Sequence, residues 1–351
     1  MREIRGIGRR LFTAALLATI AGGCVPANSS SPAASGSSAD APVHLLNASY
    51  DPTRELWKDI NKAFKTKFEK ESGRALTIDQ SHGGSASQAR AIIDGLEADV
   101  ATLSIWTDTD ALRKHGLLKE HWEDAFDNRS LPYTSTVIFV VRKGNPKRIG
   151  DWSDLVKPGV SVITPNPKTS GNGKLSLLGA WASVVLNGGT DAQAIEFLKK
   201  LYGNTPNLDT GARGATMTFA QKGLGDVHIT MESEAFMEVN DSKGELELVY
   251  PSRSILHEPH VAIVDAIVDR KGTRSSAEAY LKFLFTEEGQ EIIARHFYRP
   301  RNPAVAAKVA SQFQPVTLFS INEIVTDWDE AQNKFFADGA IFDRIYSKKK
   351  D

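Results

Sequence analysis

The chain has 351 residues, 41% of them hydrophobic and 24% charged, with a formal net charge of −1 and a single cysteine. This balance excludes a nucleic-acid binder that works through bulk positive charge. One cysteine excludes an internal disulfide, so the fold relies on the large core that a chain of this length can bury.

Residues 1–24 read as an export leader. Arg2, Arg5, Arg9 and Arg10 form a basic start, and residues 11–20 are apolar. That apolar run is shorter than the roughly 20 residues a bilayer span needs, and no later segment reaches such a length. Ala21-Gly22-Gly23 before Cys24 resembles the lipobox of bacterial lipoproteins, which implies a lipid on Cys24. Arg9-Arg10-Leu11-Phe12 also resembles a twin-arginine export signal. Residues 25–42, rich in Ser, Ala, Pro and Gly, have the composition of a flexible tether. The leader carries a net +3, so its removal leaves −4. An anion site on such a body needs local donors.

Residues 44–50 predict a first strand. Asp51-Pro52 supplies an acid at a helix cap and a proline at the first helical position. Leu56, Trp57, Ile60, Ala63, Phe64 and Phe68 follow at helical spacing. Strands are predicted over 76–80 and 99–105, with a helix between them that starts after Gly83-Gly84-Ser85. Residues 137–142 form a strong apolar strand and 160–164 another. A helix over 175–186 follows the Ser170-Gly171 turn, and a second covers 194–201. A short helix from Thr216 stops at Gly223, strands follow at 226–230 and 261–264, and helices at 278–285 and 289–297. Strand–helix alternation of this kind indicates an α/β fold with a mostly parallel sheet.

Gly83-Gly84-Ser85, Ser170-Gly171 and Gly211-Ala212-Arg213-Gly214 each stand directly before a helix, as does Asp51-Pro52. A helix start presents unpaired N–H groups and the positive end of a dipole, and several together suit a small oxyanion. Taken singly, each serine is as well explained as a cap and each glycine as a turn residue. A serine-type hydrolase acting through Ser85 is a remote alternative, because the chain lacks the G-x-S-x-G elbow. Glu232 and Glu234 are expected to be solvated or to link lobes. The eight histidines show no metal-ligand spacing, so neither metal nor cofactor is expected.

Longer motifs stand at Asn47-Ala48-Ser49-Tyr50-Asp51-Pro52-Thr53-Arg54-Glu55-Leu56, Asp79-Gln80-Ser81-His82-Gly83-Gly84-Ser85, Pro132-Tyr133-Thr134-Ser135-Thr136, Arg142-Lys143-Gly144-Asn145-Pro146-Lys147, residues 157–168 and Tyr298-Arg299-Pro300-Arg301. Together they resemble bacterial sulfate-binding proteins, the receptors of sulfate/thiosulfate ABC importers. The resemblance implies a two-lobed type II periplasmic-binding fold, with residues 43–132 and 262–351 in one lobe and 133–261 in the other. Strands 137–142 and 261–264 are expected as its hinge crossings. It implies a monomeric, non-catalytic receptor in the periplasm or on the outer face of the cytoplasmic membrane, touching the membrane only through its lipid and delivering to permease subunits. Sulfate would be held by the N–H of Asp51, the hydroxyl of Ser85, Ser170, and the N–H groups of Gly171, Asn172 and Ala212, with His82 and Arg213 behind them. A donor-only site suits a fully ionised dianion and rejects one bearing a proton, because the buried O–H would find no acceptor.

Two positions depart from the family pattern. Asn172 stands where a second glycine is usual, and Met231 where a tryptophan supplies an indole N–H. Methionine has no hydrogen to donate, which leaves thiosulfate, another oxyanion or a sulfonate open as the ligand. Trp106, at another strand end, is a candidate substitute donor.

Overall fold

The computed structural model describes residues 41–346; the leader, Cys24 and most of the tether lie outside them. Among the described residues the strands are β1 (Val43–Tyr50), β2 (Leu76–Gly83), β3 (Val100–Thr102), β4 (Tyr133–Arg142), β5 (Val162–Pro165), β6 (Leu208–Asp209), β7 (Val227–Met231), β8 (Leu246–Val249), β9 (Arg253–His257), β10 (Val261–Ile263), β11 (Arg299–Pro300) and β12 (Thr317–Phe319). They form two sheets. The smaller has the order β10-β3-β1-β2 and is parallel except for β10. The larger runs β12-β9-β4-β7-β5-β6, with β8 and β11 also paired to β4.

Each sheet has its own core. Leu45 of β1, Val100 of β3 and Val261 of β10 pack with Trp57, Phe64, Tyr280 and Phe283 from covering helices. Val137 and Phe139 of β4 pack with Val162, Ile229, Trp152 and Trp181 on the larger sheet. β4 is buried over nine of its ten residues, which accounts for its continuous apolar run rather than a two-residue alternation.

The sequence-based division needs two changes. Residues 317–346 were expected beside the smaller sheet, but β12 pairs with β9. Phe335, Phe336 and Phe342 then join Trp181 and Tyr202 in the larger sheet's core. Strands 137–142 and 261–264 were expected as hinge crossings, yet residues 137–141 pair with β7 inside the larger sheet and β10 is fully paired within the smaller one. The chain leaves the smaller-sheet side at the start of β4 and returns between His257 of β9 and Val261. The helix expected from residue 175 begins at Gly171, because Gly171-Asn172-Gly173 hides the start behind poor helix formers.

A convergence of four helix starts

The helix Arg54–Ser72 is entered through a short 3-10 turn at Asp51–Thr53, with the extended Tyr50 as its cap residue. Asp51 is therefore not the cap. Its carboxylate accepts from the Arg54 guanidinium at 2.6 Å, which offsets its charge and leaves its N–H in the first turn. The helix Ser85–Ile93 starts after Gly84, and the helix Gly171–Val185 is capped by Ser170. The short helix Ala212–Thr216 starts after the extended Gly211.

All four starts meet at one tight cavity of about 10 Å³. Asp51 and Ser85 reach it from the smaller-sheet side. Ser170, Gly171, Asn172 and Ala212 reach it from the larger. The first N–H groups of a helix have no partner within it, so the wall is lined with donors and with the positive ends of dipoles. Ser85 is 1% exposed, and Ser170, Asn172 and Ala212 are 2% exposed. Water is excluded, and each donor therefore acts at low dielectric.

Each serine oxygen accepts one backbone N–H, and each hydroxyl keeps its own hydrogen to donate. The Ser85 hydroxyl accepts the N–H of Ser104 at 3.0 Å, which leaves its own hydrogen to donate. Ser170 Oγ accepts the N–H of Gly173 at 3.4 Å as a helix cap.

The two walls touch closely. A Cβ on Gly84 would run into the Thr169 carbonyl oxygen, and one on Gly211 into the Asp51 carboxylate. A Cβ on Gly171 would meet Ser104 Oγ. Arg213 Nη2 reaches Glu55 Oε2 at 2.8 Å across the same seam, and Lys174 Nζ reaches Asp108 Oδ1 at 2.6 Å.

His82 and Arg213 stand just outside the cavity. His82 Nδ1 lies 2.5 Å from Ser49 Oγ. Burial, helped by the nearby Arg54 charge, pushes its pKa down to about 4, so the ring is neutral at pH 7. Its ring nitrogen is engaged with Ser49, and Ser85 takes its hydrogen bond from Ser104 instead, so no Ser–His pair is formed at Ser85. Arg213 also approaches Glu234 Oε1 at 3.2 Å. Glu234 is 1% exposed, and burial, with Glu238 adding to it and Arg213 opposing, pushes its carboxyl up to about 7. Glu232 is fully buried too, held by Arg299 at 2.7 Å and Tyr250 at 2.8 Å. Of the two expected roles, solvation is ruled out by this burial, whereas the Glu232–Arg299 pair joins residues 133–261 to residues 262–351 as the linking role requires. The partners of Glu232 are remote in the chain; Glu234 accepts from the Thr216 hydroxyl at 2.9 Å, while its Oε1 has the Arg213 charge beside it but no hydrogen bond.

Met231 is not among the residues that line the cavity. It pairs with Val137 and is packed in the larger sheet's core, 1% exposed. Trp106 does not line it either; its ring lies against Trp122 with centroids 6.3 Å apart. One contributor went unnoticed in the sequence. Ser104 orients the Ser85 hydroxyl through its N–H, and its side chain meets His257 Nε2 at 3.0 Å. No local motif marks it. Among the described residues no cluster of three or more His, Cys, Asp or Glu is placed to hold a metal ion.

Two sheet-centred halves with helix starts gathered between them make a type II periplasmic-binding fold. A model of bacterial extracellular solute-binding proteins matches residues 48–299, and the chain belongs to that family. The thiosulfate-binding protein of Pseudomonas aeruginosa is 48% identical over 341 residues, 97% of this chain and 99% of that protein. The sulfate-binding protein of Salmonella typhimurium is 50% identical over 305 residues, 86% of this chain and 93% of that one. Among solved structures, the sulfate-binding protein SubI from Mycobacterium tuberculosis aligns with a TM-score of 0.76 at 32% identity, covering 84% of this chain and 99% of SubI.

Proposed function

We propose that this protein captures sulfate or thiosulfate outside the cytoplasm and hands it to the permease subunits of an ABC importer, without chemical turnover. The observation that carries this reading is the meeting of four helix starts at one buried cavity whose nearest charges are already paired. The names of the close relatives point to the same ligand class. The donors are the N–H groups of Asp51, Gly171, Asn172 and Ala212 and the hydroxyl of Ser85. Ser170 fixes the start of its helix through its oxygen and keeps a hydroxyl hydrogen for the ligand. The two halves part to admit the ion and close over it. Cys24 carries the lipid that holds a monomeric receptor at the membrane surface.

Each hydrogen bond to a charged ligand contributes about 1.5–3 kcal/mol. Several together reach micromolar affinity or better, near −8 kcal/mol, after ordering costs. The test is calorimetry of the mature, ligand-stripped protein against sulfate, thiosulfate, phosphate and molybdate at pH 7. Sulfate or thiosulfate is expected to bind at micromolar Kd or tighter and phosphate far more weakly. Binding of phosphate as tight as that of sulfate would require an acceptor in the cavity and would refute the donor-only site.

A further inference from the structure

Asn172 is the second residue of the helix Gly171–Val185 and lines the cavity, 2% exposed. Its Oδ1 accepts from the Ser176 hydroxyl at 3.4 Å, one turn along the helix. Its Nδ2 has no partner. Among the described residues that line the cavity, it is the one side chain with a buried polar atom left unpaired. A buried N–H₂ without an acceptor is costly to keep, and its neighbours in the wall are donors. An acceptor brought in by the ligand satisfies all of them together.

We propose that the Asn172 side-chain amide, and not only its backbone, donates to the bound oxyanion and sets the preference of the site among sulfur oxyanions. This rests on the functional reading above. Ser176 holds the amide oxygen, which directs the nitrogen as the donor. An N–H at this corner favours an oxygen over the terminal sulfur of thiosulfate, which is larger and a weaker acceptor. The side chain also occupies volume that a glycine or alanine would release to that sulfur. Asn172 therefore biases the cavity towards sulfate.

The experiment is calorimetry of the mature wild-type protein and of Asn172→Ala and Asn172→Asp with sulfate, thiosulfate and phosphate, alongside ligand-free melting curves. Asn172→Ala is expected to weaken sulfate about tenfold or more and thiosulfate distinctly less, so that the sulfate-to-thiosulfate ratio falls. Its ligand-free melting temperature is expected to hold or rise, because an unpaired buried group has been removed. Asn172→Asp, nearly the same size, is expected to lose sulfate more severely and to gain phosphate relative to sulfate, because it supplies an acceptor. If the wild type binds sulfate and both variants match it, the proposal is overturned while the receptor reading stands. If the wild type binds neither sulfur oxyanion, both fall together.

Discussion

The two walls of the cavity use the same residue type for different work. On the smaller-sheet wall, Ser85 is the first residue of its helix and its hydroxyl accepts from a distant backbone N–H. On the larger-sheet wall, Ser170 precedes its helix and its hydroxyl is taken up as the cap. A shift of one position relative to the helix start decides whether a serine also caps its helix, while both keep a hydrogen to donate. The smaller-sheet wall thus offers one hydroxyl, and the larger one adds the Ser170 hydroxyl to several backbone N–H groups and the Asn172 amide.

The two walls meet face to face, and holding them apart is the strongest perturbation of the site. A methyl group at Gly84 points at the Thr169 carbonyl oxygen, and backbone cannot swing aside as a side chain can. Gly84→Ala should cost the closed form about 3 kcal/mol or more, over a hundredfold in ligand affinity. The φ of −60° at Gly84 suits alanine, so the melting temperature without ligand should change little. A variant that binds as the wild type does would show that the walls need not approach this closely.

Next in size is Ser85→Ala. It removes a donor to the ligand and should weaken binding by about 1.5–3 kcal/mol, read by titration. Ser170→Ala should act differently. It removes a hydroxyl donor as well, and loss of the cap should also lower stability by about 1 kcal/mol, read by denaturant unfolding. If Ser170→Ala leaves stability unchanged, the difference between the walls is wrong.

The sequence shows the four helix starts because Gly, Ser, Asp and Pro act locally, through caps and turns within a few residues. It does not show which serine caps its helix, because Ser85 is relieved of capping by its place after Gly84 and oriented by Ser104, nineteen residues on. The burial of Glu232 and Glu234 is invisible for the same reason, since Arg299 and Arg213 come from remote segments. The return of residues 317–346 to the larger sheet depends on the two-way pairing of β9 with β4 and β12. Its apolar spacing alone fits either core.

The smallest effect concerns the ionisable groups behind each wall, which should tilt stability in opposite directions with pH. Behind the smaller-sheet wall His82 stays neutral in the fold down to about 4, whereas an unfolded histidine takes up a proton near its ordinary value of 6.5. The unfolded state therefore binds more protons between those values, and stability is lost as pH falls from about 6.5 towards 4. Behind the larger-sheet wall Glu234 keeps its proton up to about 7, against an ordinary 4.5. Here the folded state binds more protons, so stability is fully present below 4.5 and is lost as pH rises through 7. His257 and His260, also held near 4 by burial, add to the acid-side loss. Their contribution masks that of Glu234 in the wild type alone, so the measurement has to be a difference. From pH 6.5 to 7.5 the wild type should lose stability relative to Glu234→Gln by under about 1 kcal/mol. Relative to His82→Gln, it should lose stability on acidification from 6.5 to 5. Chemical denaturation of the three proteins across this range reads both slopes. If the slope against Glu234→Gln is flat, the ion pair with Arg213 outweighs burial and Glu234 is charged at neutral pH, so the two walls do not differ in this respect.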